Sequence, residues 1–115
     1  MTRAVLITGS TDGIGRALAR QLAAAGARVI VHGRSKSKVD QTLAHLRAEL
    51  PGAELDGVAF DLGRMESVRR GAAQILEQVP ELHVLVNNAG LFAGERVVTE
   101  DGVELTFAVN YLAPF

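Results

Sequence analysis

Cysteine and tryptophan are absent from this 115-residue chain, tyrosine occurs once and proline three times. Without cysteine there is neither a disulfide framework nor a thiolate metal site, so stability must come from a packed core, and the composition fits a reducing cytoplasm. Charge of one sign is missing too. Twelve Lys and Arg stand against 13 Asp and Glu, a net charge of -1, which offers no attraction to a polyanion and argues against nucleic acid as a partner. No apolar run approaches the roughly 20 residues of a membrane span, and the apolar start at Ala4–Ile7 is too short for a signal-peptide core, so no membrane partner is expected. His32, His45 and His83 are far apart and lack ligand spacing. Each reads as a surface or strand-end residue, and no metal is expected.

Apolar residues and glycine are what the chain has in quantity: 48% hydrophobic, with 12 glycines. That suffices for one layered core and is too apolar for a disordered chain, so residues 1–115 read as one domain or part of one. Ala4-Val5-Leu6-Ile7-Thr8 is a continuous β-branched and apolar run stopped by Gly9, the pattern of a strand buried on both faces of a parallel sheet. Ile14, Ala17, Leu18, Leu22 and Ala25 then recur at helical spacing, with Gly26 where a C-terminal glycine belongs. The alternation continues. Residues 28–32 predict a second strand, and Ser35 caps a helix carrying Val39, Leu43, Leu46 and Leu50 that Pro51-Gly52 ends. Residues 58–60 predict a third strand, and 64–79 a helix with the stripe Val68, Ala72, Ile75, Leu76 and Val79. Residues 82–86 predict a fourth strand, leaving its far edge apolar, before a polar turn and a last helix from near Asp101. Strands alternating with helices in this way build right-handed βαβ units, hence an α/β, Rossmann-type doubly wound parallel sheet with about four strands.

Thr8-Gly9-Ser10-Thr11-Asp12-Gly13-Ile14-Gly15 lies between the first strand and the first helix, where a dinucleotide pyrophosphate meets a helix N-terminus. Gly9 permits a tight turn, Gly13 lets backbone approach phosphate without a Cβ, Gly15 brings helix against strand, and backbone N–H groups are expected to donate to phosphate. A ligand-free glycine-rich turn is the competing reading. With no Gly-Lys-Ser/Thr run, a nucleoside-triphosphate P-loop lacks its lysine and its magnesium-binding hydroxyl.

The spacing Thr-Gly-x-x-x-Gly-x-Gly resembles the short-chain dehydrogenase/reductase family, as do Asp61-Leu62 after strand three, Asn87-Asn88-Ala89-Gly90 after strand four, and Asn110. The stretch Thr99-Glu100-Asp101-Gly102 onward resembles the retinol-dehydrogenase-type members. The resemblance implies that Ser10, Thr11, Asp12 and Ile14 line the phosphate turn with its glycines. It also implies that Asp61 meets the adenine amine with help from the Leu62 backbone, and that Asn88, Ala89 and Gly90 lie along the cofactor, the latter two beside the nicotinamide ribose. Asn87 would tie strands together through its amide. Asn110 would kink the long helix and hold a water for the catalytic lysine. Plainer readings make Asp61 a helix cap and Asn110 an exposed helical polar residue.

An acidic residue ending strand two would bind the ribose 2′-hydroxyl of NAD and repel the 2′-phosphate of NADP. The segment Val31-His32-Gly33-Arg34-Ser35 has no carboxylate. Gly33 stands where the family's NAD members tend to carry aspartate, Arg34 offers a planar fork suited to phosphate, and Ser35 can add a hydroxyl. NADP is therefore expected over NAD. Asp12 departs from members with a basic residue inside the glycine turn, so this preference rests mainly on Arg34.

The family's chemistry uses a tyrosine, a lysine four residues later and a serine. The only tyrosine, Tyr111, is followed four positions on by Phe115, and the last lysine is Lys38. The chain is therefore expected to be the cofactor half of an NADP-dependent oxidoreductase acting on a small-molecule alcohol or carbonyl. It would pair as a homo-oligomer or with a missing C-terminal half. The alternative is a non-catalytic NAD(P)-binding or assembly module. A flavodoxin- or receiver-like domain leaves the dinucleotide motifs unexplained.

Overall fold

The computed structural model describes residues 3–79 and 81–89. In chain order they form β1 (Ala4–Ile7), α1 (Gly13–Ala24), β2 (Arg28–Gly33), α2 (Lys36–Glu49), β3 (Leu55–Ala59), α3 (Met65–Gln78) and β4 (Val84–Val86). The sheet order is β3-β2-β1-β4 and every neighbouring pair is parallel. The expected α/β doubly wound architecture is thus observed, with β3 beginning three residues earlier than its apolar run and β4 two residues later. The helix expected from near Asp101 lies outside the described residues.

Successive strand residues point to opposite faces, and the two cores follow that alternation. Val5 and Ile7 of β1 with Val29 and Val31 of β2 join Ala19 and Ala23 of α1 and Val39, Leu43 and Leu46 of α2. On the other face Ala4, Leu6, Ile30 and Val58 pack with Ile75 of α3 and with Val79. Ile7, Val29, Ile30 and Val31 are wholly buried, each such side chain stabilising the fold by roughly 1.5–3 kcal/mol. Arg28 fastens the amino-terminal end of the sheet: its Nε lies 2.7 Å from Asp56 of β3, and its other end reaches the Gln78 carbonyl of α3.

Two helices turn part of their expected apolar stripe outward. In α1 the buried positions are Gly15, Ala19 and Ala23, flanked by half-buried Leu18 and Leu22, whereas Ile14, Ala17 and Ala25 are exposed. In α3 they are Ser67, Gly71 and Ile75, while Ala72 and Leu76 face outward. The cause is the same in both. Small residues at i, i+4, Gly15-Ala19-Ala23 in α1 and Ser67-Gly71 in α3, let the helix axis lie close to the sheet and occupy the contact line, which in α3 continues through Ile75 and Val79. At Gly71 the approach is so close that a Cβ would collide with the Phe60 ring. The large-residue stripe of α2 does face the core, through Val39, Leu43 and Leu46. Apolar surface remains open at Leu76 and, on β4, at Val84 and Leu85.

Helix α1 ends in paired reverse bonds from Gly26 N–H to Ala23 O and from Ala27 N–H to Leu22 O, a Schellman motif with Gly26 at φ 95°. A Cβ on Gly26 would meet nothing within 4 Å, so the cost of a side chain there is purely that of the left-handed backbone. Gly26→Ala is expected to destabilise the chain by about 1–2 kcal/mol and Gly26→Asn by less, since Asn visits that region more readily. Urea unfolding of the full chain checks this, and an alanine variant as stable as the parent would contradict it.

Candidate functional site

The strand order places a topological switch point between β1 and β4, whose crossovers run to opposite faces of the sheet. Ligands of open α/β sheets bind at such a point, beyond the carboxyl ends of the strands. Here that crevice is bounded by residues 8–12 after β1, by Gly33 and Arg34 after β2, by Asp61 after β3, and by residues 87–89 after β4.

Thr8 is the hub of the turn. Its N–H donates to Val86 O at 3.1 Å, its hydroxyl donates to the same carbonyl at 3.4 Å, and the hydroxyl oxygen accepts the N–H groups of Asn88 and Ala89, each at 3.0 Å. The Asn88 side-chain amide donates to Thr8 O and Gly9 O, both at 3.2 Å. The strand tie expected of Asn87 is therefore made by Asn88, because the first of the pair points its side chain to solvent while the second turns back over β1. Ala89 closes the packing: a Cβ on Gly9, which has φ 64°, would lie 2.9 Å from Ala89 Cα. A Cβ on Gly15 would collide with the Asn88 amide and the Gly9 carbonyl. Gly9 and Gly15 are thus demanded by contact.

Gly13 differs, with φ 56° and no atom within 4 Å of where a Cβ would stand. It opens α1 beside Asp12, the N-cap, whose carboxylate accepts the Gly13 N–H at 2.8 Å. The N–H groups of Ile14 and Gly15 make no hydrogen bond among the described residues, and the first turn carries no acidic side chain. Those orphan donors and the positive end of the helix dipole suit an oxyanion. The amides of Gly9 and Ser10 do not share that duty. Gly9 N–H donates to His32 Nδ1 at 3.0 Å and Ser10 N–H to His32 O at 2.9 Å. Ser10 is wholly buried and its hydroxyl donates to Ile7 O at 2.8 Å, so it shapes the turn from below. Ile14 is 82% exposed at the crevice mouth and Thr11 is half-buried.

On the β2 side Arg34 is exposed, with its Nε 4.0 Å from Asp61 Oδ2. The space above Gly33 is filled by Thr11, whose Cγ2 would be 2.6 Å from a Cβ there. Ser35 is the N-cap of α2, its oxygen accepting the Lys38 N–H at 3.4 Å, which leaves its hydroxyl proton able to donate. Asp61 serves two purposes. Its Oδ1 accepts the Gly63 N–H at 2.8 Å and shapes the turn that precedes α3, while Oδ2 stays directed toward Arg34; the helix cap expected of it is not made, because the N-cap position of α3 falls to Arg64. The Asp61 N–H donates to the Ser67 hydroxyl at 2.8 Å, and Leu62 follows in the same turn, half-buried.

All the expected members of this site that lie among the described residues therefore border one crevice: the glycine turn from Gly9 to Gly15, Arg34 with Ser35, Asp61 with Leu62, and Asn88 with Ala89. Gly90 and Asn110 lie outside the described residues. The residues that pattern reading missed are His32, Thr8 and Ser67, all buried and each bonding to backbone across a loop. Thr8 could have been found from its place before Gly9. His32 and Ser67 carry no local signal. Among the described residues no group of three His, Asp or Glu could hold a metal ion, and no helix is long and apolar enough to cross a membrane.

Comparison with known proteins agrees with the fold. The family model described as short chain dehydrogenase matches residues 3–115. Retinol dehydrogenase 14 of Mus musculus is 41% identical across 98% of this chain, which spans 37% of that protein. A metagenomic short-chain oxidoreductase solved in complex with NADP superposes with a TM-score of 0.80 at 31% identity, covering 97% of this chain and 51% of that one. A gluconate 5-dehydrogenase from Burkholderia cenocepacia J2315, solved with NADP and tartrate, gives a TM-score of 0.77 at 34% identity over 96% of this chain and 44% of its own. The chain thus spans well under two thirds of the relatives it matches.

Removing the Asn88 amide leaves the carbonyls of Thr8 and Gly9 without their donor. Asn88→Ala is expected to cost about 1–3 kcal/mol of stability. Asn88→Asp should cost more, because a carboxylate then faces two carbonyl oxygens. Denaturant unfolding of both variants checks the order, and an aspartate variant matching the parent at neutral pH would contradict the assignment.

Proposed function

The chain belongs to the short-chain dehydrogenase family, and from that premise we propose that it is the cofactor-binding half of an NADP-dependent oxidoreductase acting on an alcohol/carbonyl pair. The observation that carries the reading is the combination at the carboxyl ends of β1 and β2: an α1 N-terminus with unpaired Ile14 and Gly15 amides, next to an exposed Arg34 with no carboxylate at the end of β2. In this reading the amides of Ile14 and Gly15 hold the pyrophosphate, with Gly13 clearing the approach. Arg34 takes the 2′-phosphate through its fork and Ser35 adds a hydroxyl donor. The free oxygen of Asp61 and the Leu62 backbone receive the adenine, and Ala89 and Gly90 flank the nicotinamide ribose. The bound nicotinamide carries the hydride. Asn110 belongs to the same reading as the residue positioning a water for a catalytic lysine. A cytoplasmic setting and a homo-oligomeric whole protein complete it.

Two features support NADP over NAD. The solved relatives named above were crystallised with NADP. The volume over Gly33, where an NAD-binding carboxylate would rise, holds the Thr11 side chain. Asp12 acts against any anion but is exposed and bonded to Gly13 N–H, so solvent screens much of its charge.

The test is the pair of dissociation constants for NADPH and NADH. NADPH is expected to bind more tightly. Arg34→Ala should weaken NADPH by about 1.5–3 kcal/mol, the range for hydrogen bonds to charged groups, or roughly 10- to 150-fold, while NADH changes by less than about threefold. Equal losses for the two cofactors would overturn the assignment of Arg34. A chain that binds NADPH yet shows no reductase turnover in its complete form would favour a non-catalytic binding module.

A further inference from the structure

His32 is 2% exposed at the end of β2, away from the surface where isolated histidines usually lie. Its partners settle its protonation pattern. Gly9 N–H, which can only donate, is 3.0 Å from Nδ1, and Phe60 O, which can only accept, is 3.1 Å from Nε2. A neutral ring with its proton on Nε2 satisfies both. The backbone of the same residue receives the Ser10 N–H at 2.9 Å and donates its own N–H to the Ser10 hydroxyl at 2.9 Å. The ring is held against Phe60, with centroids 4.3 Å apart. One residue thus links the glycine turn after β1 to the end of β3, immediately before Asp61.

Building on the cofactor-binding reading, we propose that His32 is a positioning residue of the phosphate turn: its neutral Nε2–H ring fixes Gly9, and so sets the orientation in which the first turn of α1 meets the dinucleotide. Gly9 has no side chain with which to hold its own left-handed conformation, φ 64°. Its amide is held by the ring and its carbonyl by Asn88. A second proton on the ring would set an N–H against the Gly9 N–H. With the ring enclosed, relief requires movement of the turn. None of the ring's partners is ionised. The ionisable groups on the segments packed around it are Asp12 on the turn, Arg34 beyond the end of β2 and Asp61 after Phe60, the last two 4.0 Å from each other.

Burial pushes the His32 pKa below its ordinary value near 6.5, with the Phe60 carbonyl opposing in part. Because the folded value is lowered, the unfolded chain takes up its proton first. The contribution to stability is complete above about pH 6.5 and is lost as pH falls through the folded-state value. Dinucleotide affinity falls over the same acidic range, since the form that binds is the neutral one.

The experiment uses the full chain, labelled with nitrogen-15, and NADH as the probe because it has no titrating 2′-phosphate. The ring signals should show Nε2 protonated and Nδ1 bare. On acidification the Gly9 and Ser10 amides should move with the midpoint of the His32 ring, and NADH affinity should fall at least about threefold with that midpoint. His32→Asn, whose side-chain oxygen can accept the Gly9 N–H without titrating, should bind NADH within about threefold of the parent at neutral pH and lose the acid-side fall. His32→Leu should bind at least about tenfold more weakly at neutral pH. Gly9 signals that ignore the ring's titration, or an asparagine variant with the parent's acid-side fall, would overturn the proposal. A parent chain that binds neither NADPH nor NADH at any pH overturns the cofactor reading, and this role with it, whatever the amides do.

Discussion

The structure depends on how closely three backbone segments meet at the carboxyl end of β1. The glycine turn, the first turn of α1 and the segment after β4 approach so tightly that Gly9 and Gly15 have no room for a Cβ. Such contact is possible only if the polar backbone atoms it buries find partners, because each orphan would cost on the order of 1–3 kcal/mol. Thr8 and Asn88 supply most of them, binding the β4 segment to β1 through side chains as well as backbone. The sheet order follows from the same constraint, since β4 must lie beside β1 for Asn88 to reach back.

The turn's chemistry comes from how its donors are divided. Gly9 and Ser10 direct their amides inward to His32, and the donors left for a ligand include those of the helix, at Ile14 and Gly15. The inward bonds make the turn rigid. Outward donors held in place in this way lose little freedom on binding an anion, which is the advantage of preorganisation. Arg34 contrasts with them: it is exposed and only loosely paired with Asp61, so it can swing to a phosphate while Asp61 keeps its turn through Gly63. Fixed backbone donors suit the pyrophosphate that every dinucleotide shares, and in the proposed reading the exposed arginine suits the phosphate that distinguishes one dinucleotide from another.

The fold class was legible because β1 is a continuous apolar run and β2 carries the β-branched Val29-Ile30-Val31, and because Gly9, Gly26 and Pro51-Gly52 punctuate the elements. The site was legible as a set of glycines with fixed spacing between a strand and a helix. Helix faces were harder to read. Hydrophobic periodicity weights large residues, yet α1 and α3 lie on the sheet through Gly15, Ala19 and Ala23 and through Ser67, Gly71 and Ile75, so Ile14 and Leu76 misled. The choice between Asn87 and Asn88 was invisible for a different reason: adjacent amides have equal chemistry, and only the path of the chain after Val86 decides which turns inward. His32 was invisible because its importance lies in a bond to a backbone amide 23 residues away, and no local pattern encodes that.

In the proposed reading the amino-terminal turn of α1 and the end of β2 together receive the dinucleotide. The most direct measurement is a map of backbone amide and arginine side-chain shifts as NADPH is added to the labelled full chain. The largest changes are expected at Gly13, Ile14 and Gly15, at Arg34 and Ser35, and at Asp61. Changes concentrated instead in the groove at the opposite end of the strands, lined by Ala23, Gly26, Leu50 and Ala53, with the glycine turn unmoved, would contradict the account.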